Sequence, residues 1–232
     1  DIAYLASNYN DFNQYNTDVD ALVGFMLKVE PFKEMQYNIR IHKVNNTLNL
    51  GCYRPASIPR LIICDYLQVL QAAAVVPHDA IMVVENSNVY GGSGGNYYAT
   101  TYRDVSDQAK EVAVHEFGHH IGKLNDEYEM GYQSYTMKED KPNCAFWPCS
   151  EWDNLVNGCY QICGESNFYR PTNNSCIMRT LSPDNGFNFD QVDLPIMRNS
   201  ILMHISQYIL PSPSVTSDRM KMQIRDYEST YE

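Results

Sequence analysis

The sequence predicts a mixed α/β (α+β) fold with a sheet that is parallel in part. Strand-like and helix-like stretches alternate through the first half of the chain, the order of a sheet covered by helices. Ala80-Ile81-Met82-Val83-Val84 is a short unbroken apolar run between polar residues, as in a strand covered on both faces. Ser106 to Leu124 instead has helical period, with Val114, Phe117, Ile121 and Leu124 on one side of the wheel. The 232 residues are enough to bury a proper core in one large domain or two small ones.

The elements follow in order. Ile2-Ala3-Tyr4-Leu5-Ala6 suits a first strand. From Thr17 to Val29, the positions Val19, Leu22, Val23, Met26 and Val29 recur at helical spacing; Thr17 or Asp18 can cap the start, and Pro31 ends it. Tyr37, Ile39 and Ile41 alternate with Asn38, Arg40 and His42, the period of a half-buried strand. Leu61 to Val75 is a second helix, broken at Pro77-His78-Asp79. Gly91, Gly92, Gly94 and Gly95 permit tight turns and close backbone approach, but the run lacks the Lys and Ser/Thr of a phosphate-binding loop. Tyr97 to Thr101 favours a strand at a sheet edge, where an extended peptide can add as one more strand. Residues 129–192 are irregular, and Ile196 to Leu210 is a last helix ended by Pro211 and Pro213. In the polar tail 211–232, Met220, Met222 and Ile224 alternate as an edge strand would.

Composition narrows the function classes. A net charge of −11 without a basic run argues against nucleic acid as a partner. No transmembrane helix is present, since Asp65, Gln68 and Gln71 interrupt the most apolar stretch. The chain starts at Asp1 with neither signal peptide nor initiator Met, which reads as a processed or trimmed form. Five of the seven cysteines fall between Cys144 and Cys176, a density that suits disulfides and an oxidising compartment. The odd count leaves one without a partner in the chain, and Cys159-x-x-x-Cys163 also has zinc-ligand spacing. Sequons at Asn45 and Asn173 fit a secreted or cell-surface protein.

The chemistry concentrates in Val112 to Tyr128, VAVHEFGHHIGKLNDEY. His115 and His119 stand four apart in an HExxH pattern, so on a helix both imidazoles project from one side and can hold one zinc ion. Glu116 between them can work on a zinc-bound water. His120 is rotated by about 100° and points elsewhere. Gly122 can stop the helix and turn the chain back, and Asp126 or Glu127 then offers a carboxylate as third ligand. His42 and His78 have no recognisable partner, His204 suits the surface or core, and the stretch from Asp184-Asn185-Gly186 to Asp193 lacks EF-hand spacing and suits a turn.

On these residues the sequence resembles the IgA-peptidase family of zinc metallopeptidases. The family motif HEFGHxxxxLxDEY stands here as HEFGHHIGKLNDEY, matching from His115 to Tyr128. The Tyr90 to Gly95 run, Phe168-Tyr169-Arg170-Pro171 and Ser175-Cys176-Ile177-Met178-Arg179 extend the likeness over roughly residues 1–205. The resemblance implies a metzincin-like zincin domain over 1–210, with an upper half to about 124 and a lower half from 125, and Met178 in a Met-turn beneath the metal. Metzincins carry the third ligand ten residues after the first His; Asn125 stands there and is a poor ligand, a departure this family shares, which favours Asp126 over Glu127. The activity implied is hydrolysis of peptide bonds in a protein or peptide substrate by a zinc-activated water, with Glu116 as general base and Tyr128 as candidate donor to the oxyanion. The competing function is a zinc-holding domain kept for protein binding or assembly.

Overall fold

The structure is a computed structural model that describes residues 1–103, 106–129, 141–173, 176–181 and 187–207. The tail 211–232 with its alternating methionines, the Asp184 to Gly186 turn and the His204 side chain lie outside the described residues.

A five-stranded mixed sheet organises the first half. Its strands are β1 (Ile2–Ser7), β2 (Ile41–Val44), β3 (Ala80–Glu85), β4 (Gly92–Gly94) and β5 (Ala99–Tyr102), in the order β2-β1-β3-β5-β4. All neighbours run parallel except β4, which pairs antiparallel with β5 at one edge. β1 and β3 are buried along their whole length, as their unbroken apolar runs require. Alternate residues serve two cores. Tyr4, Ala6, Met82 and Val84 face α1 (Phe12–Met26) and α3 (Asp107–Gly122), while Ala3, Leu5, Ile81 and Val83 face α2 (Tyr66–Ala73).

Four expectations need correction. α1 starts at Phe12, because the Asp11 carboxylate accepts the amides of Asn13 and Gln14 and so caps the helix ahead of Thr17. Residues 36–38 form a 3-10 turn, so the alternation across Tyr37 to His42 is not one strand; β2 begins at Ile41. α2 is shorter than its apolar pattern, since Ile63 pairs with Tyr53 and Cys64 is bonded to Cys52, which holds 61–65 extended until Asp65 caps the helix. The sheet edge is the glycine run itself, and β5 is an inner strand.

The later part of the chain is held by covalent links and a small core. β6 (Tyr160–Cys163) and β7 (Glu165–Arg170) form a hairpin, turned at Gly164 with φ 74°. Cys144–Cys163 and Cys149–Cys159 pin it to the preceding loop, so Cys159 and Cys163 are bonded to separate partners. Ala145, Trp152 and Val192 pack together there. α4 (Asp193–Gln207) closes the domain against α3, with Met197 buried.

Candidate metal centre

α3 carries the centre, and its two-sided character follows from the sequence. Val114, Phe117 and Leu124 are fully buried in the core, with Ile121 packed against it. The other side meets β4, and only glycine permits the approach. A Cβ on Gly94 would stand 2.4 Å from the Glu116 carbonyl oxygen, and one on Gly92 would stand 2.8 Å from Glu116 Oε1. The glycine run thus serves close packing on a helix.

The end of α3 departs from expectation. The left-handed stop is Lys123, with φ 55°, while Gly122 is still helical. Gly122 is needed for space instead, since a Cβ there would lie 2.5 Å from Met197 Sδ. Lys123 N–H bonds to Gly118 O in a 6→1 closure, and Leu124 N–H reaches the same oxygen at 3.2 Å, which reverses the chain. The reversal brings Asp126 back beside the histidines.

Three donor atoms then converge. His115 Nε2 lies 3.1 Å from His119 Nε2, and Asp126 Oδ1 lies 3.1 Å and 3.3 Å from those two nitrogens. His115 Nδ1 is 2.8 Å from Ile177 O, and His119 Nδ1 is 2.7 Å from Leu124 O. Carbonyls only accept, so each Nδ1 holds the proton and each Nε2 turns a lone pair inward. Two lone pairs and a carboxylate oxygen repel one another unless a cation lies between them. Asp126 Oδ1 is moreover buried with no hydrogen-bond partner. Bonds of about 2.0–2.1 Å at tetrahedral angles put ligand atoms about 3.3–3.4 Å apart, so the set fits zinc. In the metal-free protein, burial works against charge on His119 and Asp126, but their mutual attraction raises the His119 pKa and holds the Asp126 carboxyl well below the carboxylate range.

Glu116 offers a carboxylate oxygen within 4.8 Å of the ligand atoms of both histidines. Burial, reinforced by Asp126 and opposed by His115 and Arg60, pushes its pKa up to about 7. Tyr128 Oη accepts from Arg60 Nη1 at 3.2 Å, and burial with the nearby Asp126 carboxylate keeps the phenol protonated. All these groups line one cleft of about 870 Å³ that runs along Gly92 to Asn96, a volume suited to a bound ligand.

Glu127 points the other way. It is wholly buried, and its amide bonds to Met178 O at 2.9 Å. Met178 sits in a turn closed by Cys176 O, and its thioether lies against α3 where Gly118 leaves room: a Cβ on Gly118 would be 2.4 Å from Met178 Sδ. Asn143 clamps the ligand segment by exchanging hydrogen bonds with the Asn125 backbone at 2.7 Å and 3.0 Å. The expected His115, Glu116, His119, Asp126 and Tyr128 therefore come together in one cleft, with Met178 beneath α3. Arg60 and Asn143 were missed; neither stands in a recognisable motif, and tertiary folding alone brings them near. The other histidines with described side chains bond to nearby groups away from the centre. His120 joins Gly95 O and Ile81 N–H, His42 lies 2.7 Å from Asp1 Oδ1, and His78 turns to Val76 O.

No curated protein matches the chain. The family model described as IgA Peptidase M64 matches residues 38–162, more than half of the chain, and spans the HExxH helix, Asp126 and Tyr128. The chain belongs to the IgA Peptidase M64 family, a family of peptidases.

Proposed function

We propose that the protein is a zinc-dependent endopeptidase of metzincin-like architecture, with His115, His119 and Asp126 as zinc ligands. The observation that carries this reading is Asp126 Oδ1, buried and unpartnered beside two inward-facing ring nitrogens. Zinc, when bound, lowers the pKa of an attached water to about 7 and polarises the scissile carbonyl. Glu116 takes the water's proton and delivers it to the leaving amine; its burial matches its proton affinity to both tasks. Tyr128, steadied by Arg60, keeps an O–H to donate to the developing oxyanion. The Ile177 and Leu124 carbonyls orient the two imidazoles, as partners of metal-bound histidines do. Met178 shapes the floor without binding the ion. A peptide lies extended along β4 in the cleft. The three disulfides support secretion or display at the cell surface. The catalytic domain is 1–210, with 211–232 as a tail.

The test is Glu116→Gln. Zinc content is expected to stay at the wild-type level, while kcat for peptide hydrolysis drops by about 10²–10⁴. Retained activity would remove Glu116 as the base. A zinc-loaded wild type that cleaves nothing in a broad peptide library would leave the binding role in its place.

A further inference from the structure

Behind the cleft lies a second group of donors that hydrolysis does not use. Glu127, Cys176, Asp190 and Asp193 each offer a ligand atom, and all four atoms lie within 4.8 Å of one another. Glu127 and Asp193 are wholly excluded from solvent, and Cys176 is the free, buried thiol left by the disulfides. Glu127 Oε2 is 3.2 Å and Asp193 Oδ2 is 3.7 Å from Cys176 Sγ.

The hydrogen bonds around this group satisfy it only in part. Asp193 Oδ1 is buried with no partner. Glu127 Oε1 has only a long contact, 3.4 Å, from Asn143 Nδ2. Asp190 accepts the Val192 and Asp193 amides and a 3.3 Å contact from Thr172 Oγ1. Arg170 is close enough to act on Glu127, but Nη1 and Nη2 bond to Gln161 O, Ile162 O and Asn173 Oδ1, and Nε has no partner. Two wholly buried acids, a half-buried third and a buried thiol packed this closely are costly unless something neutralises them.

We infer that this cluster is a second metal site, a closed four-ligand seat for a zinc-class divalent cation. Bonds of about 2.3 Å to sulfur and about 2.1 Å to oxygen at tetrahedral angles place S and O about 3.6 Å apart. The two Cys176 contacts, 3.2 Å and 3.7 Å, bracket that separation. Calcium requires about 6–8 oxygens, more than three carboxylates placed this way readily supply, and a thiolate ligand selects softer ions. Only the half-buried Asp190 borders an open groove; Glu127, Cys176 and Asp193 are buried, and with all four ligands supplied by the protein the role is structural. Metal entry displaces the Cys176 thiol proton, and any carboxyl protons, to solvent. The ion ties the residue after Asp126, the turn that carries Met178, and the start of α4.

The test counts metal in the purified full chain after loading with Zn²⁺ and dialysis. Wild type is expected to hold about two ions. The His115→Ala/His119→Ala variant, stripped of the cleft site, is expected to hold about one, and Asp193→Asn about one. Loading with Co²⁺ adds a second readout: a thiolate-to-cobalt charge-transfer band in the near ultraviolet, present in the double-histidine variant and lost in Cys176→Ser. A single ion that disappears in a folded double-histidine variant overturns the inference and leaves the catalytic reading intact. A single ion that persists there, with the charge-transfer band, upholds this site and removes the catalytic one. Should Asp193→Asn or Cys176→Ser fail to fold, the count and band in the double-histidine variant still decide.

Discussion

Gly94→Ala measures how tightly the glycine strand is pressed on the helix that carries the metal ligands. The new Cβ would stand 2.4 Å from the Glu116 carbonyl oxygen, 2.6 Å from His119 Cβ and 3.2 Å from the Glu116 carbonyl carbon. Two of those atoms are backbone in the middle of α3 and cannot move alone. Restoring an ordinary contact of 3.4 Å from 2.4 Å therefore requires β4 to withdraw by about 1 Å. Overpacking of this kind costs about 1–3 kcal/mol. For a domain of this size each kcal/mol moves Tm by about 2–4 °C, so the expected loss is roughly 2–12 °C. The withdrawn strand also borders the cleft, and a misplacement of about 1 Å can lower kcat/KM by about 10²-fold. The control is Gly95→Ala, where the nearest atom is Tyr98 O at 3.9 Å; it should stay within about 0.5 kcal/mol of wild type. Calorimetry and peptide hydrolysis on zinc-loaded protein read both effects. The reasoning fails if Gly94→Ala matches wild type in both, or if Gly95→Ala is equally damaged.

Three further outcomes follow from the geometry. Asp126→Asn should weaken zinc binding at the cleft by more than the roughly 10–100-fold typical of a ligand's outer partner, as read by chelator competition; an unchanged affinity would exclude Asp126 as a ligand. Replacing Cys52 and Cys64 by Ser should lower stability by about 3 kcal/mol in denaturant unfolding, the figure for a loop near 15 residues, because that bond holds the segment bearing Arg54 and Arg60. In chelator-treated protein, Glu116 binds its proton more tightly folded, at about 7, than unfolded, at 4.5. Its stabilising contribution is thus full below about pH 4.5 and lost as pH rises through 7, a change of roughly 3 kcal/mol. Urea titrations across that window should show Glu116→Gln gaining on wild type by this amount; parallel curves would contradict it.

The parts of the molecule that were legible in advance are those whose cause is local. β1 and β3 declared themselves because strands buried on both faces need unbroken apolar runs. α3 was legible because one turn of helix sets the spacing of His115 and His119, and Asp126 follows within a short reversal. The helix stop was assigned to the wrong residue, since Lys123 takes the left-handed conformation and Gly122 answers to Met197 on α4. The start of α1 was misread for a local reason, the Asp11 cap, while other misread stretches answer to partners outside themselves. Residues 61–65 have helical apolar spacing but are held extended by Tyr53 and Cys52. Arg60 meets Tyr128 across 68 residues, and Asn143 meets Asn125 across 18, with no motif that pairs either.

The bond from His115 Nδ1 to Ile177 O joins residues 62 apart. A helix such as α3 forms in under a microsecond or so once its residues are free to fold. The ring that it presents acquires its working orientation only when the distant turn arrives, after a loop closure whose entropic cost grows with length. During synthesis the chain must therefore extend past Met178 before the histidine pair can face inward. A nascent or truncated chain ending near the helix would carry the complete HExxH signature and no assembled centre.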